Sequence, residues 1–142
     1  MLFGMAAQRT YNQNCPVAKG LDILGERWTL LILRELIGGP RRYSDLHAEL
    51  PGIATNLLAE RLRALEEAAL VSRTELPAPI ARTVYSLSEL GWRKVPPVLK
   101  AIAIFGLDQV QLVIAFIDED TLGIKQRPHC AIAEDRALFK PG

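Results

Sequence analysis

Thr55, Asn56, Glu60 and Arg63 lie within a short stretch, at a spacing that a helix would gather toward one side. Their chemistry suits hydrogen-bond readout rather than bond making. An Asn amide can pair with an adenine edge, an Arg guanidinium with guanine or a phosphate, and a Glu carboxylate can accept from a cytosine amine. Thr55 and Asn56 would stand at the start of that helix, where unpaired N–H groups favour a phosphate. Glu60 has a second use, holding Arg63 in place. Arg42, Arg73 and Arg82 suit contacts to a nucleic-acid backbone, the last two beside an adjacent minor groove. The plain alternative for Arg73 and for Arg82 is a solvated surface charge. Arg61 lies nearer the apolar flank of the same helix and reads as one half of an intramolecular salt bridge.

Cys15 is a second kind of reactive group. It stands directly before Pro16, at what reads as a helix start, where the helix dipole and free N–H groups favour the thiolate, the nucleophilic form. The alternative is a buried apolar cysteine that packs and does not react. Cys130 beside His129 makes only a weak metal signal. The two histidines, His47 and His129, stand apart, and His47 is expected at the surface. There is no glycine-rich phosphate loop, nucleophile elbow or metal-spaced cluster. Neither an enzyme nor a cofactor or metal is therefore expected.

The elements that must position these groups begin with Tyr43 to Val71, which reads as two helices joined by a tight turn. Ser44 is expected to cap the first, with Leu46 and Leu50 on one face. Pro51-Gly52 breaks it, and Thr55 or Asn56 is expected to cap the second. Leu58, Leu62, Leu65 and Ala69 form an apolar stripe. The opposite face carries Asn56, Glu60, Arg63 and Glu67, with Thr55 and Ala59 at its edge. This pattern is a helix-turn-helix or an ordinary helical hairpin. After it the period changes. Val71, Arg73 and Glu75 alternate with Ser72, Thr74 and Leu76, and Thr83, Tyr85 and Leu87 with Val84, Ser86 and Ser88. These are two short strands around the stiff loop Pro77-Ala78-Pro79-Ile80-Ala81. A hairpin in that place is a wing, and it converts the reading to a winged helix-turn-helix.

Upstream, residues 1 to 14 lack periodicity and are expected to form a mobile arm. Cys15-Pro16 opens a first helix, with proline where its missing N–H costs nothing. Val17, Leu21 and Leu24 face inward, and Gly25 ends or bends the helix. A second is expected from about Glu26 to Ile37. Trp28, Leu31, Ile32 and Leu36 wrap it into a buried spine, and Gly38-Gly39-Pro40 stops it. Downstream, Ser88-Glu89 starts another helix. Gly91 is its weak spot, Pro96-Pro97 is expected to kink or restart it, and Gly106 to hinge or break it. Val98, Leu99, Ile102, Ile104 and Phe105, then Leu107 to Ile117, present more apolar surface than a small domain can cover alone. A second subunit is expected there; the alternative is folding back onto the chain's own core. The division is thus an arm (1–14), a DNA-binding and dimerisation domain (15–118) and a C-terminal tail (119–142).

The totals set limits. The 142 residues, 49% hydrophobic and 23% charged, suit one globular domain with a real core. A formal net charge of +1 announces no global basic field, so nucleic-acid binding would need a local basic face. Two cysteines without partner spacing suit a reducing compartment, and no signal peptide is evident. Lys100, Asp108, Gln109 and Gln111 interrupt the most apolar region, which argues against a membrane span. The cytoplasm is the expected location.

Cys15-Pro16-Val17, the run Leu24 to Leu36 (LGERWTLLILREL), and Gly39 to Leu46 (GPRRYSDL) together resemble the N-terminal signature of HxlR-type transcriptional regulators. Pro51-Gly52-Ile53, Asn56-Leu57-Leu58, Arg61-Leu62 and Leu65-Glu66 extend the resemblance, and Tyr85 to Gly91 (YSLSELG) closes it. It covers roughly residues 15 to 105. The resemblance implies a fold that is mainly α with a small β-hairpin wing, related to the MarR type, with dimerisation helices at both ends. It implies a homodimer on a double-stranded DNA operator, acting as a repressor or activator, with repression the expected outcome. Relatives that use the matching cysteine as a redox or electrophile sensor extend that expectation to Cys15. A small-molecule effector is the other expected switch, although no polar cluster marks its pocket. Ala59 departs from the hydroxyl residue of many relatives, which puts one polar DNA contact in doubt. The alternative function is a winged-helix module that binds protein instead of DNA. Near neutrality and Glu60, Glu66 and Glu67 favour it, and salt-dependent binding to a duplex discriminates the two.

Overall fold

Proline or glycine marks several element boundaries, among them both ends of the first helix and the end of the second. The computed structural model describes residues 9–116. Helix α1 (Pro16–Leu24) begins at a proline and ends at the cap residue Gly25. Helix α2 (Thr29–Ile37) ends at Gly38. Helices α3 (Tyr43–Glu49) and α4 (Thr55–Glu67) follow, then strands β1 (Val71–Leu76) and β2 (Arg82–Leu87), then helix α5 (Glu89–Phe116). The strands pair antiparallel, with Val71 opposite Leu87 and Leu76 opposite Arg82. A single bridge between Arg41 and Tyr85 adds a third stretch of backbone beside β2. The chain divides into two compact units between Val95 and Pro96.

In the first unit the buried side chains include Ile32, Leu33 and Leu36 of α2, Leu46 and Leu50 around α3, and Leu58, Leu62 and Leu65 of α4. Burial of each such side chain contributes roughly 1.5–3 kcal/mol. Leu70, Val71 and Leu87 carry this core under the base of the hairpin, and α2 packs on both α3 and β2. Glu35, although charged, is 3% exposed and pairs with Arg34 at 2.8 Å. The period-2 alternation places Val71, Arg73 and Glu75 on the same hairpin face as Leu87, Tyr85 and Thr83.

Several boundaries differ from expectation. Helix α2 begins at Thr29, because Glu26 to Trp28 form a corner in which the Thr29 N–H donates to the Glu26 carbonyl at 3.2 Å. Trp28 there has φ 78° and ψ −21°, a left-handed conformation that costs a bulky residue about 1–3 kcal/mol. Leu31, expected in the buried spine, is 40% exposed, and on α1 Val17 and Leu21, expected to face inward, are 70% and 45% exposed while Ala18 is the buried residue. Ser44 is not the cap of α3. The cap falls two residues earlier, at Arg42, and the Asp45 carboxylate accepts from the Arg42 N–H at 3.0 Å, leaving Ser44 inside the first turn. Neither Thr55 nor Asn56 caps α4. Buried Ile53 ends the turn, Ala54 takes the cap position, and no side chain bonds the first N–H groups. Ala69 lies beyond the end of α4, in the left-handed region at φ 58°.

Helix α5 is continuous through Gly91, the proline pair and Gly106, so none of them breaks or restarts it. Pro96 and Pro97 lack the N–H groups that would bond the carbonyls of Trp92 and Arg93, but both of those residues are exposed to water. Gly91 has a different purpose. A Cβ there would lie 2.2 Å from the Leu70 carbonyl oxygen, so only glycine lets α5 approach the exit of α4. Ser88 fastens that junction: its hydroxyl donates to the Ala69 carbonyl at 2.6 Å and accepts from the Gly91 N–H at 2.9 Å. Before α1, the Thr10 hydroxyl and Tyr11 N–H donate to Asp22, tying the end of the expected arm to that helix. The first eight residues of the arm, Ile117, and the tail with His129 and Cys130 lie outside the described residues.

Candidate nucleic-acid interface

Burial of Leu58, Leu62 and Leu65 forces the opposite side of α4 outward, and there Asn56, Glu60, Arg63 and Glu67 are all exposed. Thr55 is exposed at the first helical position and Ala59 is half-buried. The start of α4 thus offers backbone N–H groups without a side-chain cap, next to an exposed hydroxyl and an exposed amide. Glu60 does not hold Arg63. Its carboxylate takes the Arg61 guanidinium at 3.0 Å, and Arg63 is left without an ion pair among the described residues. The expected salt bridge of Arg61 is present, with a second arm to Glu26 at 3.2 Å.

The supporting arginines lie on the neighbouring elements α3, β1 and β2. Arg42 is exposed at the start of α3, with its Nε 3.4 Å from the Asp45 carboxylate. Arg73 lies on β1 in a loose pair with Glu75 at 3.5 Å, both exposed. Arg82 opens β2 opposite Leu76, exposed and without an ion pair among the described residues. Burial pushes the Tyr85 phenol above its usual 10.0, against the opposing pull of the Arg73 charge, so its hydroxyl stays neutral at physiological pH. Cys15 belongs to a different element. It holds the cap position of α1, half-buried, with a free thiol.

Three positioning contacts escape a reading of the sequence. The Tyr43 hydroxyl donates to the Thr55 carbonyl, joining the start of α3 to the start of α4. The Arg61 Nε donates to the Arg27 carbonyl at 3.1 Å. Arg41 exchanges backbone hydrogen bonds with Tyr85, at 2.9 and 2.7 Å. Each joins residues distant in sequence, where periodicity carries no signal. Arg61 alone was indicated, by its place at the flank of the apolar stripe.

A short helix, a turn, an outward-facing second helix and a two-stranded wing define a winged helix-turn-helix protein. The family model described as HxlR-like helix-turn-helix matches residues 23–113. The chain belongs to that family, whose members are transcriptional regulators and not enzymes. It is 39% identical over 97 residues to the HTH-type transcriptional regulator sll1512 of Synechocystis sp., covering 68% of this chain and 71% of that protein. It is 37% identical over 81 residues to YodB of Bacillus subtilis, covering 56% of this chain and 72% of that one. Among solved structures, the reduced form of YodB superposes with a TM-score of 0.59 at 32% identity, covering 66% of this chain and 92% of that chain. The redox regulator HypR in its oxidized form superposes with a TM-score of 0.62 at 29% identity, over 66% and 96%. No helix of the described residues is long and apolar enough to cross a membrane.

Proposed function

We propose that this regulator is a homodimer that binds a double-stranded operator sequence-specifically and represses transcription, with residues 15–118 as its DNA-binding and dimerisation domain. The carrying observation is the outward face of α4, with Thr55, Asn56, Glu60 and Arg63 over an uncapped helix start. In this reading Asn56 and Arg63 address base edges in the major groove. Arg42, Arg73 and Arg82 hold phosphates around it, Arg82 most freely because it has no ion-paired carboxylate among the described residues. Glu60 reads a cytosine amine once Arg61 yields it, or stays with Arg61.

Dimerisation is supported by apolar side chains left in water by a single chain: Val17 and Leu21 on α1, and Ile102, Ile104 and Phe105 on α5, the last 87% exposed. Two copies place two weakly basic faces on one duplex, which offsets the near-neutral total charge. The experiment is a gel shift on duplexes from upstream of its own and neighbouring genes, with a salt titration. Tight binding to one duplex that weakens steeply with salt is expected. Absence of binding to every duplex would mean a protein-binding module instead.

Regulation in this reading falls to Cys15, with a small-molecule effector as the other route. Support comes from the half-buried free thiol at a helix start and from the similarity to the redox regulator HypR. Oxidation of Cys15 with a second thiol to a disulfide, the two electrons and two protons passing to an oxidant such as diamide, or addition of an electrophile to the sulfur with loss of its proton, would alter α1 and release the operator. Diamide should weaken DNA binding of the parent and leave Cys15→Ser unaffected; an equal response of both proteins removes Cys15 from the account.

A further inference from the structure

Arg61 belongs to the DNA-reading helix, yet its side chain is only 13% exposed. Each of its three nitrogens has an acceptor. Nε donates to the Arg27 carbonyl at 3.1 Å, Nη2 to Glu26 at 3.2 Å and Nη1 to Glu60 at 3.0 Å. Two of these acceptors lie on the corner between α1 and α2, far from α4 in sequence. The same corner reaches the turn before α4. The left-handed Trp28 brings its ring close to Gly52, where an added Cβ would stand 3.8 Å from Cη2. The Arg27 guanidinium lies 5.6 Å from the centroid of that ring. One strained corner therefore touches both the entry and the middle of α4.

Leu58, Leu62 and Leu65 bury α4, but apolar contacts are non-directional and tolerate small rotations about the helix axis. A planar guanidinium with three acceptors does not, because its donors diverge at fixed angles. We propose that Arg61 is the positioning residue of the DNA-reading helix: clamped to Glu26 and the Arg27 carbonyl, it sets the rotation at which Asn56 and Arg63 meet the base edges. It makes no DNA contact itself. This assignment rests on the DNA-binding reading above, and it makes operator discrimination depend on a carboxylate, Glu26, that lies outside the helix-turn-helix.

Arg61→Lys keeps the charge but replaces the fork with one ammonium, and Glu26→Gln removes the carboxylate from the other side. Anisotropy titrations of the full-length chain would use the upstream duplex selected by the parent and a scrambled duplex of equal length. Each variant should bind the upstream duplex about tenfold more weakly while the scrambled duplex changes less than about twofold, with the salt slope retained. The double variant should be no worse than the more impaired single one, since both break one clamp. A parallel loss on both duplexes with a lower salt slope would make Arg61 a phosphate contact and overturn the assignment. Parent-like discrimination in both variants would overturn it too. Should Arg61→Lys fold poorly, Glu26→Gln decides alone, because that side chain is 41% exposed and its loss leaves no buried void. A parent that binds no duplex fails at the earlier step, the DNA-binding reading, and takes this assignment with it.

Discussion

Glu60 takes the Arg61 guanidinium, and Arg63, two positions on, keeps its charge exposed on the outer face of α4. That allocation divides the arginines by task. Arg63→Ala should lose base discrimination of about 1–3 kcal/mol, read as relaxed preference at one operator position. Arg82→Ala should weaken binding to all sequences alike and reduce the salt slope by about one. Binding curves for both variants, taken against a panel of operator changes at several salt concentrations, separate the two roles. Similar behaviour of both variants would mean that neither assignment holds. The residues of this face were legible in the sequence because one buried stripe dictates its opposite. The partners of Glu60 were not, since a carboxylate between two arginines can turn either way and only the packed neighbours decide.

The helices and strands owe their boundaries to a few residues. Pro16, Gly25 and Gly38 act where their backbone chemistry predicts, and the wing alternates as expected. Local preference placed caps at Ser44, Thr55 and Asn56, but the caps fall at Arg42, whose N–H bonds the Asp45 carboxylate, and at Ala54, next to buried Ile53. Gly91 shows the same override in the opposite sense. Read locally it is a weak point in α5; in the fold it is the contact that admits the Leu70 carbonyl. Gly91→Ala should therefore destabilise the first unit by about 1–3 kcal/mol despite the better helix propensity of alanine. Urea unfolding followed by circular dichroism measures this, and a stabilised variant would mean that the α5 junction is looser than described. The strained corner at Trp28 was not legible at all, because a left-handed tryptophan has no local signature.

At the scale of the whole molecule, the near-neutral charge and the uncovered apolar residues of α1 and α5 belong together. A monomer with so slight a basic excess would hold a duplex weakly, and a chain with Phe105 in water calls for a second copy. Both requirements are met if two winged helices are presented side by side. A two-fold dimer of helix-turn-helix units must then mark its operator in a characteristic way, with equivalent contacts on one side of the duplex. The measurement that tests this most directly is a hydroxyl-radical footprint of the full-length protein on its own upstream region. Two equivalent protected patches are expected on one face of the DNA, related by a dyad and separated by one helical turn of about 10 base pairs or a multiple of it. A single patch without a dyad, or no protection at saturating protein, would contradict the account.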